Sequence, residues 1–201
     1  MRTALALPLA FSLVLAASAS AAELGKPAPD FTLGDLGGKP VKLADYRGQV
    51  VVLEWFNPGC PYVKASHSKG SLVDAAAKAT ARGVAWLAIN SGAPGKQGHG
   101  VELNRAAAKE WKLAHPILLD ESGAAGKAYG ASNTPHLFVI DKEGNLVYRG
   151  AADNSPDGER AAPRGGKLVE HLAAALDDVL AGKPVAVPES KAYGCSVKYA
   201  Q

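Results

Sequence analysis

The 201 residues, 47% of them hydrophobic and 20% charged, suffice for one domain of ordinary size with a full core, which excludes a disordered or fibrous chain. A formal net charge of +3 is too small to point to nucleic acid or to an anionic membrane surface. Two cysteines are too few for a disulfide-rich scaffold, so the core does not depend on a bridge.

The first residues are a separate object. Arg2, the apolar stretch over residues 4–17 and the small-residue triplet Ala19-Ser20-Ala21 read as a signal peptide over residues 1–22, cleaved near Ala21 or Ala22. The apolar stretch is shorter than the roughly 20 residues a membrane-spanning helix needs, so no stable membrane insertion is expected after cleavage. Residues 23–201 are then expected as one exported domain, periplasmic or secreted, with neither internal repeat nor linker. Disulfides persist in such a compartment.

Along the mature chain, "ELGKPAPDFTL" (residues 23–33) is extended, with Phe31 and Leu33 as apolar anchors, and "KPVKLADYRG" gives a short strand and a turn. "QVVVLEWF" (residues 49–56) is a continuous apolar run of strand length, as expected for a strand covered on both faces. After Asn57-Pro58-Gly59, the spacing of Val63, Leu72, Val73, Ala76 and Ala79 predicts one helix over residues 62–82, stopped by Gly83. "VAWLAIN" is the next buried strand, "SGAPGKQGHG" a loop and "VELNRAAAKEWKL" a helix. "HPILLD" follows as a short strand, and "SGAAGKAYG" as a short helix closed by Gly130. Apolar runs at residues 137–140 and 146–148 flank a Glu-Gly-Asn turn, the signal of a hairpin. "GGKLVEHLAAALDDVLAG" (residues 165–182) is amphipathic, with Leu168, Leu172, Leu176, Val179 and Leu180 on one stripe. A Pro-containing tail, expected to be mobile, carries Cys195 in "YGCSVKY".

Alternation of strands and helices makes this an α/β fold with helices on both faces of the sheet. The end of the first long strand, and Cys60 with it, then falls at the sheet's C-terminal edge, where such folds place their sites. In "FNPGCPYVKASH", Cys60 stands at a helix start, with Pro61 suited to the first turn. Uncapped amides and the positive helix end stabilise a thiolate, drawing the pKa below the free value of about 8.5, and Lys64 adds to the effect. Glu54 interrupts the apolar strand, so it is either buried and paired or protonated, or carried to an exposed edge. A buried carboxyl with raised pKa beneath a thiol would relay protons during thiol exchange. Cys60, His67, His99 and His136 lack the local spacing of a metal site. Neither metal nor cofactor is expected.

These residues carry a resemblance. "LADYRGQVVVLEWFNPGCP", "HPILLDESGAAGKAYGASNTPHLFVIDKEGNLVYRG" and "AALDDVLAGKPV…YGCSVKY" resemble the thioredoxin superfamily, in particular its peroxiredoxin-like redoxin branch, over nearly all of the mature chain. The resemblance implies a central mixed sheet flanked by helices, with a C-terminal helix and an extended tail. It implies that Cys60 is the attacking cysteine and that Glu54 takes the place of thioredoxin's buried acid. Thr134-Pro135 matches the loop with a cis proline, where the Thr134 backbone faces the thiol and pairs with substrate. Asn57, Pro61, Thr134 and Pro135 are the implied substrate-facing set.

Two departures qualify the carry-over. Val63 stands where thioredoxin has its second cysteine, and Asn57 where peroxiredoxins have a threonine. Peroxiredoxins also hold the thiolate with an arginine, for which Arg149, Arg160 and Arg164 are the candidates. Cys195 matches the late resolving cysteine of some peroxiredoxins, which condenses with the sulfenic acid left by peroxide attack. The implied function is an exported thiol oxidoreductase acting on a hydroperoxide or a protein disulfide or thiol, and recycled by a thiol reductant. The alternative is a non-catalytic binding module in which Cys60–Cys195 is a fixed staple.

Overall fold

A computed structural model describes residues 21–200, so all but the last two positions of the expected signal peptide lie outside the described residues. Strands β1 (Thr32–Asp35) and β2 (Pro40–Lys42) form an antiparallel pair at one end of the sheet. A single 3-10 turn, Leu43–Tyr46, leads from them to β3 (Val51–Trp55), in which every residue is buried. That burial is what an apolar run broken only by Glu54 demands, because helices cover both faces.

The single helix expected over residues 62–82 is two helices, α1 (Pro61–Ser68) and α2 (Ala75–Thr80). Between them the chain detours so that Leu72 enters the core and the Ser71 hydroxyl bonds the buried Asp153. Asp74 takes a left-handed conformation (φ 55°) to restart the helix. A contact with a residue 82 positions away broke the helix, not the local pattern.

Next come β4 (Ala85–Asn90), α3 (Val101–Glu110), β5 (Ile117–Leu119) and α4 (Ala124–Tyr129). The two-residue strand β6 (Asn133–Thr134) precedes the hairpin β7 (His136–Ile140) and β8 (Leu146–Gly150). Helix α5 (His171–Leu180) is shorter than expected: residues 165–170 remain outside it, with Gly165 and Gly166 at φ of 85° and 81°. The last element is β9 (Cys195–Ser196).

Seven strands make one mixed sheet in the order β2-β1-β5-β4-β3-β7-β8, parallel across β3–β4–β5 and antiparallel at both ends. Strand alternation splits β3 between two cores. Val51, Leu53 and Trp55 pack with Phe138, Ile140 and Tyr129 on one face, while Val50 and Val52 pack with Ala79, Leu172 and Leu176 on the other. A third cluster, Phe56, Cys60, Val63, Ala88, Ala107 and Ile117, closes the end of the sheet where β3 gives way to α1. This is a thioredoxin-like fold. Among the described residues, no helix is long and apolar enough to cross a membrane.

Candidate active site

Cys60 is the N-cap of α1, with extended backbone (φ −81°, ψ 125°) and Pro61 at the first helical turn. The turn that delivers it is built by Asn57, whose Oδ1 accepts from the Gly59 amide at 2.8 Å and whose Nδ2 donates to the Gln97 carbonyl at 3.3 Å. Both ends of that buried amide are thus engaged locally, as in an Asx turn. Pro61 is exposed at the helix start.

The Cys60 side chain is 0% exposed. Across from it lies the β6 loop, where the Thr134–Pro135 peptide is cis and Thr134 is buried. The Cys60 thiol donates to the Thr134 carbonyl at 3.1 Å. Strand β9 pairs antiparallel with β6, setting Cys195 directly opposite Thr134 and beside Cys60. Both cysteines are free thiols.

The two sulfurs differ in electrostatics. Burial pushes the Cys60 pKa up, and the Cys195 thiol, the Val63 amide, the Thr134 side chain and the Cys195 backbone more than offset it, so the net shift is downward. The Thr134 hydroxyl, buried and otherwise unpartnered, is free to donate to the ionised sulfur. The Thr134 carbonyl favours the protonated thiol instead, but it is outnumbered by donors. The neutral thiol makes no formal capping bond, so the helix amides act on the thiolate form. Cys195 moves the opposite way, to about 11, through burial and through its donation to, and repulsion by, Cys60. The pair therefore ionises first at Cys60, with the remaining proton on Cys195. No arginine is among the causes of the Cys60 shift. Arg149 pairs with Glu189 at 2.8 Å, and Arg160 pairs with Glu170.

Glu54 takes the buried alternative but departs from the raised pKa expected of it. Its Oε1 lies 2.7 Å from His67 Nε2, and Trp86 Nε1 donates to Oε2 at 3.1 Å. Burial pushes its pKa up, yet the charge and hydrogen bond of His67, with His115 and Trp86, bring it below the ordinary carboxylate value. His67 stacks on Trp111, with ring centroids 5.2 Å apart. A cavity of about 530 Å³ is bordered by His67, Trp86, Trp111 and His115, while Glu54 itself is fully buried behind it. His67 sits seven residues after Cys60 on α1, two helical turns or about 10 Å along its axis. Among the described residues, no three histidine, cysteine, aspartate or glutamate side chains converge as a metal site. His99 instead pairs with Glu121 at 2.8 Å.

The tail, expected to be mobile, is docked along the body of the molecule. Residues 188–190 bond along β8, where Arg149 N donates to the Pro188 carbonyl and Ser190 N to the Arg149 carbonyl. Tyr193 donates to Asp153 at 2.9 Å, and Tyr199 to the Ala131 carbonyl at 2.8 Å. Gly194 is needed for the close pass: at φ 109° an added Cβ would sit 2.8 Å from the Thr134 carbonyl carbon. Sequence reading missed Tyr193, Tyr199, Asp153 and the His67 partner of Glu54. The one available hint was the Tyr-Gly-Cys triplet, in which a glycine allows close backbone approach.

Over residues 23–163 the chain matches the Redoxin family. The thiol-disulfide oxidoreductase ResA of Geobacillus thermodenitrificans is 34% identical over 129 residues, which are 63% of this chain and 68% of that relative. An uncharacterized conserved protein from Geobacillus kaustophilus superposes with a TM-score of 0.76 at 33% identity, covering 89% of this chain and 93% of that one. A hypothetical protein from Sinorhizobium meliloti superposes with a TM-score of 0.75 at 32% identity, covering 90% and 97%. The segment bearing Cys195 lies beyond the stretch matched to the family.

Proposed function

This chain belongs to the redoxin family, and from that premise we propose that it is an exported thiol–disulfide oxidoreductase in which Cys60 attacks and Cys195 resolves. The observation that carries the reading is the pair itself: two free thiols side by side, one with its pKa drawn down and the other pushed up to about 11. The relative ResA is named for thiol–disulfide chemistry, which favours that reaction class.

The Cys60 thiolate attacks one sulfur of an incoming disulfide. A mixed disulfide forms, and the other sulfur leaves as a thiolate carrying the electron pair. Cys195 then loses its proton and attacks the Cys60 sulfur, expelling the second substrate thiolate and closing Cys60–Cys195. The substrate disulfide gains two electrons, the protein loses two, and an external thiol reductant restores it. Thr134 and Pro135 line the reacting sulfurs. Glu54 with His67 is our candidate for carrying the proton between the site and the cavity that His67 borders.

Hydroperoxide reduction by the same thiolate ranks second, because the Asn57 amide is tied into its turn and no arginine supports Cys60. The pinned tail is the observation that favours a staple instead. We place the cleavage after Ala21, one residue ahead of the expected 22/23 boundary, because Ala22 is buried and its amide donates to the Ala128 carbonyl, so it packs as part of the domain.

Mass spectrometry after mixing the reduced protein with oxidised glutathione tests the order of events. Wild type is expected to close Cys60–Cys195, and Cys195→Ser to stop at a glutathione adduct on Cys60. An adduct found first on Cys195, or a bridge that thiol reductants cannot reopen, contradicts the enzymatic reading. A dimedone-trapped sulfenic acid on Cys60 of Cys195→Ser after hydrogen peroxide would raise the peroxidase to first place.

A further inference from the structure

Two helical turns along α1 from Cys60, the cavity of about 530 Å³ stands apart from the two thiols. His67, Trp86, Trp111 and His115 border it with rings, and Leu72, Val84 and Leu113 with aliphatic side chains. The space exists because α2, with the sequence AAAKAT, presents only small side chains there: Ala76, Ala77 and Thr80. Its size lies within the range of about 300–1,000 Å³ that holds small-molecule ligands. Asp74 and Lys112, the two non-glycine residues with left-handed backbone among the described residues (φ 55° and 53°), both border it. Backbone held in that region collects at ligand sites, where the surrounding structure enforces it.

The rings are fixed from behind. Glu54, fully buried, accepts from Trp86 Nε1 at 3.1 Å and lies 2.7 Å from His67 Nε2. His67 stacks on Trp111 at an interplanar angle of 6°, and the Trp86 and His115 centroids lie 5.9 Å apart. One carboxylate therefore anchors one ring of each pair. The other two rings have no such anchor. Of the four buried side-chain polar atoms without a partner among the described residues, two are Trp111 Nε1 and His115 Nε2. A buried polar group left unpaired costs about 1–3 kcal/mol, so native proteins seldom keep one without a use. Two of them on residues bordering one cavity are hydrogen-bonding positions that the protein itself leaves open. The indole can only donate. Burial pushes the His115 pKa down to about 4, so at neutral pH its ring is uncharged, and the unpaired nitrogen donates or accepts with the tautomer. Besides the histidines, the charged residues on the border are Asp74 and Lys112, both exposed and opposite in sign.

We propose that this cavity is a binding site for a small, flat, uncharged aromatic molecule carrying a phenol or carbonyl oxygen. The ligand's ring lies among the four aromatic side chains, and its oxygen accepts from the Trp111 indole N–H. A second polar atom, where the ligand has one, meets His115 Nε2. The rings supply flat apolar area, and the few polar groups fix orientation. A hydrocarbon would leave both nitrogens unpaired, and an anion would lose its hydration with no buried cation to replace it. Glu54 serves this site by holding His67 and Trp86 in place.

Nitrogen-15 indole spectra of the protein read the site directly, because two of the chain's three tryptophans border the cavity. The third, Trp55, is buried in another core and donates to Ser91 at 3.0 Å. The probes are naphthol, naphthalene and naphthol sulfonate. Naphthol should move the Trp111 and Trp86 signals saturably and leave Trp55 in place. Naphthalene should bind about tenfold more weakly, the ratio that one buried hydrogen bond supplies, and the sulfonate more weakly still. Trp111→Phe keeps a ring but loses the N–H, so naphthol and naphthalene should then bind alike within about threefold, read at Trp86. Ala76→Leu fills the cavity and should abolish both shifts; if it does not fold, Trp111→Phe carries the test. Cys60→Ser should bind naphthol as wild type does, and a loss of binding there would tie the ligand to the thiol and overturn a separate site. Equal affinity of wild type for naphthol and naphthalene, or a preference that survives Trp111→Phe, overturns the proposal. So does movement of Trp86 alone, which would put the probe in the groove of about 210 Å³ between α2 and α5 that Trp86 also borders. If no probe moves either signal, the cavity is not a site for this class of molecule.

Discussion

Replacing Gly194 with alanine strikes the one backbone position on which the tail's approach depends. The residue sits at φ 109°, and the new Cβ would lie 2.8 Å from the Thr134 carbonyl carbon and closer still to its oxygen. Both atoms belong to backbone already fixed by β6, so neither swings aside as a flexible side chain would. Strain at such a φ in a non-glycine residue costs about 1–3 kcal/mol before any overlap is counted. Taking about 2–3 kcal/mol for the docked form alone, the docked-to-lifted ratio of the tail drops about 30- to 150-fold. Two readouts follow from one cause. Hydrogen exchange at Val197, whose amide donates to the Ser132 carbonyl, should accelerate, while amides of β3 and β7 stay protected. The rate at which an oxidised Cys60 closes onto Cys195 should fall with the docked population, and Cys60 should lose its Cys195 donor. A Gly194→Ala protein with wild-type exchange at Val197 and wild-type closure would refute this docked geometry of the tail.

Other outcomes are equally definite. Glu54→Ala leaves the buried His67 and Trp86 ring donors without their acceptor and should cost about 1–3 kcal/mol for each in urea unfolding. Glu54→Gln, which keeps two hydrogen-bonding positions, should cost less. Burial lowers the pKa of His115 and His136 to about 4 from 6.5. Between those values the unfolded chain binds protons that the folded chain does not, so stability is intact above pH 6.5 and falls as pH drops toward 4, by up to about 3 kcal/mol for each histidine. Urea midpoints across that window should show the loss, and His136→Gln should remove its share. Gly126→Ala should displace the Tyr199 ring and speed exchange at Val197 without altering the unfolding free energy by more than about 1 kcal/mol.

What the sequence made legible was what local pattern encodes. The apolar run ending at Phe56, the proline at the first helical turn and the Glu-Gly-Asn hairpin each carry their own signal, and together they bring Cys60 to the end of β3 against the Thr134–Pro135 loop. Glu54 stood out because a carboxylate in an apolar strand needs an explanation. Its explanation was not legible, since Trp86 lies 32 residues away and His67 announces no pairing. The break between α1 and α2 and the docking of the tail have the same origin. Asp153 recruits Ser71 from 82 residues away and Tyr193 from 40, and contacts of that range leave no periodicity behind. Amphipathic spacing continued through residues 69–74 because Leu72 is buried whether the helix runs on or turns aside. For the tail, composition suggested only mobility, whereas its docked path depends on glycines far away in sequence: Gly123 and Gly126 leave room for Tyr199, and Gly150 for Ser190.

Cysteine labelled with carbon-13 at Cβ reports each thiol's ionisation in the folded protein without a reagent having to enter. A pH titration of the reduced chain by this signal bears on the two sulfurs directly. Cys60 should ionise below the ordinary thiol range, and Cys195 well above it, near 11. Coincident midpoints at the free-thiol value, or Cys195 ionising first, would contradict the assignment of attacker and resolver.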